Sequence, residues 1–216
     1  MPIGQKLREQ ALATKGFMPP DEGDALYAAA GLACKTLPGL ALVEVGSYCG
    51  RSTVWLGAAA RKFNTTLFAI DHHFGSEENQ KGWKYYDESL ADPTTGRINT
   101  LPILLETLRR TKLGDAVVPI IAESKVVSAQ WSQQLAMCFI DGGHGDEPAR
   151  DDYLGWTPKI ALNGLLAIHD VFADPKDGGQ APHRFIYLAA LDSGEFTEIS
   201  ATGSLRVLQR INECSS

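Results

Sequence analysis

Short apolar runs alternate with amphipathic stretches along most of the chain. Ala41–Val45, Leu67–Ile70, Ala116–Ile121, Met137–Ile140 and Leu165–Ile168 are too short for helices and too apolar for loops, and they read as buried strands. Between them, 51–63, 100–112, 126–134 and a stretch opening over 148–156 read as helices. In Thr100–Lys112 the apolar face is Leu104, Leu105 and Leu108, with Asn99 or Thr100 as cap. Upstream, residues 3–15 predict a short helix. Gly16–Gly23, with Pro19 and Pro20, is a turn-rich break. A second helix follows, capped by Asp21 or Glu22, with Leu26, Ala29, Ala30 and Leu32 on its apolar face. Residues 72–98 are the least regular part, and a connection of that length is usually functional or mobile. Past a loop at 173–182 come a helix at Arg184–Leu191 and two strands, Phe196–Ala201 and Leu205–Arg210, flanking Thr202-Gly203-Ser204 as a hairpin. The pattern predicts an α/β fold with a doubly wound, seven-stranded, mostly parallel sheet and an antiparallel C-terminal hairpin.

Composition narrows the picture. A chain of 216 residues, 44% apolar and 21% charged, suits one soluble domain spanning 1–216, with N-terminal helices in 1–36. A net charge of −6 with scattered Lys and Arg leaves no footprint for nucleic acid or an anionic membrane. Cys34, Cys49, Cys138 and Cys214 form no C-x-x-C, which suits free thiols in a reducing cytoplasm. The N-terminus has no signal-type apolar core, and no run approaches ~18 apolar residues, so a cytoplasmic location without a membrane span is expected.

The candidate chemistry lies at strand ends, where open α/β sheets form their ligand crevice. Glu44-Val45-Gly46-Ser47-Tyr48-Cys49-Gly50-Arg51-Ser52-Thr53 is a strand, a glycine turn and a helix start. Its spacing, E-x-G-x-x-x-G, lacks the middle glycine that a pyrophosphate needs; a ligand with an amino-acid head and a nucleoside fits better, and a plain βα turn is the alternative. Asp71, ending the second strand, can accept hydrogen bonds from both ribose hydroxyls or serve as a solvated carboxylate. Ser124, in Ala122-Glu123-Ser124, either borders a base or caps a helix.

Asp141, His144, His169 and Asp170 follow the fourth and fifth strands. Two carboxylates with water suit Mg²⁺ better than zinc, and His169 either adds a ligand or orients Asp170. His144 has the pKa range of a general base. Each residue alone could be a cap or a surface histidine; together at one rim they point to a site. In the long loop, Trp83, Tyr85 and Tyr86 beside His72, His73, Glu77, Glu78 and Asn79 suit stacking on a ring acceptor, or else anchor the loop or a dimer contact.

These residues give the chain its resemblance to class I S-adenosylmethionine-dependent methyltransferases, specifically the small catechol-type and sugar-type O-methyltransferases. VEVGSYCGRST, FAIDHH, FIDGGH and NGLLAIHDVF carry it, and it spans Gly16 to Phe172. It implies a Rossmann-like methyltransferase fold with S-adenosyl-L-methionine as cofactor. Glu44, Gly46 and Ser47 would hold the methionine moiety, in one turn with Tyr48, Gly50 and Ser52. Asp71 would take the ribose, Ser124 the adenine side, and Asp141 would also border the cofactor. Asp141 and Asp170 would bind a divalent metal, with His169 as a further ligand, and His144 stands where catechol-type enzymes carry a Lys base. His169-Asp170 replaces their Asp-Asn pair. HHFGSEENQKGW is similar to a loop in actinobacterial methyltransferases linked to methylated polysaccharides, which implies a small-molecule or oligosaccharide hydroxyl acceptor facing 72–98. A homodimer is also implied. Two rival readings are an NAD-dependent sugar-modifying enzyme, opposed by the missing G-x-G-x-x-G, and a non-catalytic cofactor-binding protein, opposed by the clustered Asp141, His144 and Asp170.

Overall fold

A computed structural model describes residues 2–83, 85–143 and 145–212. Its seven strands are β1 (Ala41–Val45), β2 (Leu67–Asp71), β3 (Val117–Ile121), β4 (Leu135–Ile140), β5 (Ile160–Ile168), β6 (Phe196–Thr202) and β7 (Leu205–Arg210). They form one sheet in the order β3-β2-β1-β4-β5-β7-β6. The first five are parallel; β7 runs antiparallel to β5 and closes the hairpin with β6. This is the architecture expected from the alternation of runs. The order reverses between β1 and β4, so a crevice opens there beyond their carboxyl ends.

Helices α1 (Gln5–Leu12), α2 (Pro20–Thr36), α3 (Arg51–Lys62), α4 (Leu101–Thr111), α5 (Ser124–Gln130), α6 (Asp146–Trp156) and α7 (Leu188–Asp192) pack around the sheet. One apolar cluster joins α2, α3 and α4 to one sheet face through Leu26, Trp55, Leu56, Leu104 and Phe139. A second covers the other face through Val43, Ile140, Trp156, Ile168 and Ile186. With both faces covered, β4 is buried at every position, as its unbroken apolar run requires.

Several local expectations shift. Leu105 and Leu32 are exposed. Helix α4 buries Leu104, Thr107, Leu108 and Thr111, a stripe at helical spacing that leaves Leu105 beside it. Helix α2 starts on Pro19 without a side-chain cap, so neither Asp21 nor Glu22 caps it. Strand β5 begins at Ile160, upstream of Asn163-Gly164; these two residues sit inside it, where the pairing with β4 is irregular and Asn163 has φ 66. Among the described residues of 72–98 are two single 3₁₀ turns, Glu77–Asn79 and Glu88–Leu90, and one bridge between Ala91 and Ile98. Cys34, Cys49 and Cys138 are buried free thiols, while Cys214 lies outside the described residues. Among the described residues no helix is long and apolar enough to cross a membrane.

Candidate active site

The strand ends converge. Gly46 N donates to Ile70 O at 2.9 Å, Asp141 N to Val45 O at 2.9 Å and His169 N to Ile140 O at 3.1 Å, so the ends of β2, β1, β4 and β5 stand in one row. Three residues just past these ends, Tyr48 (φ 48), His73 (φ 64) and Asp170 (φ 55), adopt left-handed backbone. For a tyrosine that conformation is unfavourable, and such strain collects where side chains must be aimed.

Two cavities open from the row. The larger, about 620 Å³, lies over β1, β2 and β3 and is lined by Gly46, Asp71, Ser124, Asp141 and Asp152, among others. The smaller, about 240 Å³, is lined by Ser47, Arg51, Phe17, Tyr85 and Asp170. Gly46, Tyr48, Asp141 and Gly142 belong to both walls, so the two spaces meet above the β1–β4 switch point.

In the larger cavity, Asp71 accepts the backbone N–H of Tyr48 at Oδ2 and of His73 at Oδ1, each at 2.7 Å. Both oxygens keep lone pairs for a further donor. Ser124 is not a capping residue, because the cap of α5 is Glu123. Its hydroxyl donates to Asp152 Oδ1 at 2.5 Å and accepts from Trp156 Nε1 at 2.8 Å. Burial, with smaller help from Asp151, raises the Asp152 carboxyl to about 6 against the pull of that bond.

Under the junction, Glu44 is fully buried and accepts from Ser52 Oγ and Thr53 Oγ1, each at 2.6 Å. Burial pushes its pKa to about 8; the two hydroxyls oppose the rise, and the charges of Asp141 and Asp71 add to it. Glu44 and Ser52 therefore brace the turn from beneath. Gly46 has φ 90, and a Cβ there would meet Asp141 O at 2.1 Å, so the glycine is required first by the neighbouring strand. Gly50, at φ 92, caps α3.

In the smaller cavity, Ser47 Oγ and Arg51 Nε are buried without a hydrogen-bond partner among the described residues. Arg51 otherwise donates to Gly16 O at 3.1 Å. Both residues line the open cavity, which leaves these two groups available to a ligand there. Arg51 went unnoticed in the sequence, where it reads as an ordinary helix-start residue. Phe17 was also missed; its ring lies 5.8 Å from that of Tyr48 and 5.4 Å from that of Tyr85, joining the turn after α1 to the long loop. Lys15 Nζ reinforces the join by pairing with Asp87 Oδ2 at 2.5 Å.

At the floor, Asp141, His169 and Asp170 can each offer one donor atom, all within 4.8 Å of one another. His169 Nδ1 is 3.1 Å from Asp141 Oδ1 and 3.5 Å from Asp170 Oδ1, and Nε2 is 2.6 Å from Glu22 Oε2. Burial alone would lower the imidazole pKa. The Asp141 charge, then hydrogen bonds with Asp141, Asp170 and Glu22, outweigh it and push it up to about 12. These carboxylates thus favour a positive charge on the ring. Two cis ligands about 2.1 Å from one ion stand about 3 Å apart, which the 3.1 Å between His169 Nδ1 and Asp141 Oδ1 matches. His144 lies outside the described residues.

Residues 43–171 match the family described as "Methyltransferase domain". Among solved structures, the chain is similar to the O-methyltransferase NovP, with 17% identity, TM-score 0.64 and coverage of 88% of this chain and 79% of that one. It is also similar to the O-methyltransferase TomG from Streptomyces achromogenes, solved with SAM, at 14% identity and TM-score 0.63, covering 97% and 91%. An O-methyltransferase from Bacillus cereus, in complex with SAH, matches at 13% identity and TM-score 0.65, covering 97% and 92%. At these identities the likeness is one of fold.

Proposed function

The chain belongs to the methyltransferase-domain family, and on that premise we propose that it moves a methyl group from S-adenosylmethionine to a hydroxyl oxygen, with a divalent cation beside the acceptor. The observation that carries this reading is the pair of joined cavities. One has an acid oriented for a ribose; the other has unpartnered Ser47 and Arg51 groups for an amino-acid head and a cation-attracting floor.

S-adenosylmethionine, when bound, supplies a methyl group on a sulfonium sulfur. Asp71 accepts the ribose hydroxyls, and its two backbone bonds hold it ready. Ser47 and Arg51 take the methionine end, Ser124 borders the adenine side, and Tyr48, Gly50 and Ser52 shape the turn between them. Asp141, His169 and Asp170 would hold the cation, which when bound would make an acceptor hydroxyl more acidic. His144 accepts the hydroxyl proton as the oxygen attacks. That role rests on its place in the FIDGGH motif that carries the resemblance. The new C–O bond forms as the C–S bond breaks, sulfur keeps the electron pair, and no covalent enzyme intermediate is needed. Holding oxygen and methyl in line supplies much of the acceleration.

The acceptor is a ring-bearing small molecule or sugar hydroxyl, a reading supported by Phe17 and Tyr85 in the smaller cavity's wall. A cytoplasmic location, from the free thiols, and a homodimer, from the resemblance, complete the proposal. The test is transfer of labelled methyl to a panel of catechols and glycosides, with excess chelator or added divalent cation. Labelled product that disappears with chelator and returns with the cation is expected. Undiminished transfer in chelator would remove the cation from the mechanism, and a chain that binds no S-adenosylmethionine would end the proposal.

A further inference from the structure

We propose that Glu22 is a positioning residue that holds the His169 ring with Nδ1 as a nitrogen donor, so that the floor of the site prefers Mn²⁺ to Mg²⁺. The inference rests on the cation reading given above and adds a residue from outside the strand ends. Glu22 lies in the first turn of α2, far from the crevice in sequence, and is buried there. It caps nothing. Oε1 accepts Ser204 N at 2.6 Å from the β6–β7 turn, and Oε2 faces His169 Nε2 at 2.6 Å. Ser204 Oγ lies 3.3 Å from both oxygens. The turn is built around this carboxylate: Gly203 has φ 53, and a Cβ there would stand 2.0 Å from Glu22 Oε1.

The chemistry follows from which groups can donate. An ionised carboxylate only accepts, so the ring nitrogen facing Glu22 must carry hydrogen. Nδ1, which faces Asp141 and Asp170, also carries hydrogen in the imidazolium; Glu22 holds the hydrogen on Nε2, so a bound cation would replace the one on Nδ1 and take the lone pair there. A carboxylate behind a ligating imidazole fixes its tautomer and makes it a better donor. A set of two carboxylate oxygens and one imidazole nitrogen departs from the all-oxygen set that suits Mg²⁺ and favours a transition ion.

Glu22→Gln tests this with almost no change of volume. Ser204 N–H requires an oxygen opposite it, which turns the new amide N–H toward His169 Nε2. The ring then accepts at Nε2 and carries its hydrogen on Nδ1, where it cannot ligate. In the wild-type chain, Mn²⁺ should bind at least about tenfold tighter than Mg²⁺ by titration, and electron spin-echo spectroscopy of bound Mn²⁺ should show a histidine nitrogen coupling. In Glu22→Gln the nitrogen coupling should vanish and Mn²⁺ affinity fall about 10- to 100-fold, while S-adenosylhomocysteine affinity stays within about threefold. Gly203→Ala, which displaces the same carboxylate, should act in the same direction if Glu22→Gln does not fold. Glu22→Gln that keeps both coupling and affinity would overturn the role of Glu22 and leave the cation reading standing. Wild-type protein that binds Mn²⁺ without nitrogen coupling, or no tighter than Mg²⁺, would also overturn the inference. Binding of neither ion would remove the cation reading itself.

Discussion

Gly46 is packed directly on Asp141: a methyl group on its α-carbon would lie 2.1 Å from the Asp141 carbonyl oxygen. Its φ of 90 adds backbone strain for any other residue. Gly46→Ala should therefore part the ends of β1 and β4 and destabilise the fold by about 3 kcal/mol or more. Urea unfolding measures the loss. A change under about 0.5 kcal/mol would show that the two strand ends are not locked as described.

Asp141 lines both cavities, whereas Asp170 lines only the smaller. Asp170→Ala should weaken divalent-cation binding at least about tenfold and leave S-adenosylhomocysteine affinity within about threefold. Asp141→Ala should weaken both. Calorimetric titration of each variant with each ligand gives the four values. Equal behaviour of the two variants would contradict the division of the site.

Asp152 supplies a pH dependence of stability. Burial raises its folded-state pKa to about 6 from an unfolded value of 3.8. The ionised form is thus disfavoured in the fold: stability is unaffected by this group below 3.8, falls as pH rises towards 6, and levels off above. Asp152→Asn can still accept from Ser124 and removes the penalty. It should stabilise the protein at pH ~8 by about 1–2 kcal/mol and do nothing of the kind at pH ~4. Unfolding curves at those two pH values should converge at the acid end, and parallel curves would refute the assignment.

His144→Ala probes the proton acceptor. Turnover near neutral pH should fall about 10²- to 10⁴-fold, with cofactor affinity retained. A variant with full turnover across the pH range would remove His144 from the base role.

The parallel core of the fold was legible because β1, β2, β4 and β5 each end in an apolar run that stops at a glycine or a polar residue, at Val45-Gly46, Ile70-Asp71, Ile140-Asp141 and Ile168-His169. The residues at those stops, Gly46, Asp71, Asp141 and Asp170, are also the ones whose positions follow from strand order alone. What lay hidden came from other elements. Glu22 reads as a helix-start acid, yet its carboxylate reaches His169 because α2 packs against β5 and β7. Arg51 and Phe17 gain their meaning from a cavity formed between the α1–α2 turn and the glycine turn, which no local pattern encodes. Leu105 and Leu32 were placed inward by hydrophobicity, although an α-helix buries only one stripe. Asn163-Gly164 signalled a boundary and turned out to be an irregular step within β5.

The central claim is that the crevice over β1 and β2 holds the methyl donor through Asp71, whose two oxygens are pinned by Tyr48 N and His73 N at 2.7 Å. Titration calorimetry of the wild-type chain and of Asp71→Ala with S-adenosylhomocysteine tests it most directly. One site per chain is predicted for the wild type, weakened about 10- to 100-fold in Asp71→Ala through the loss of charge-assisted bonds of about 1.5–3 kcal/mol. Absence of binding to the wild-type chain, or equal affinity in the two proteins, would contradict the account.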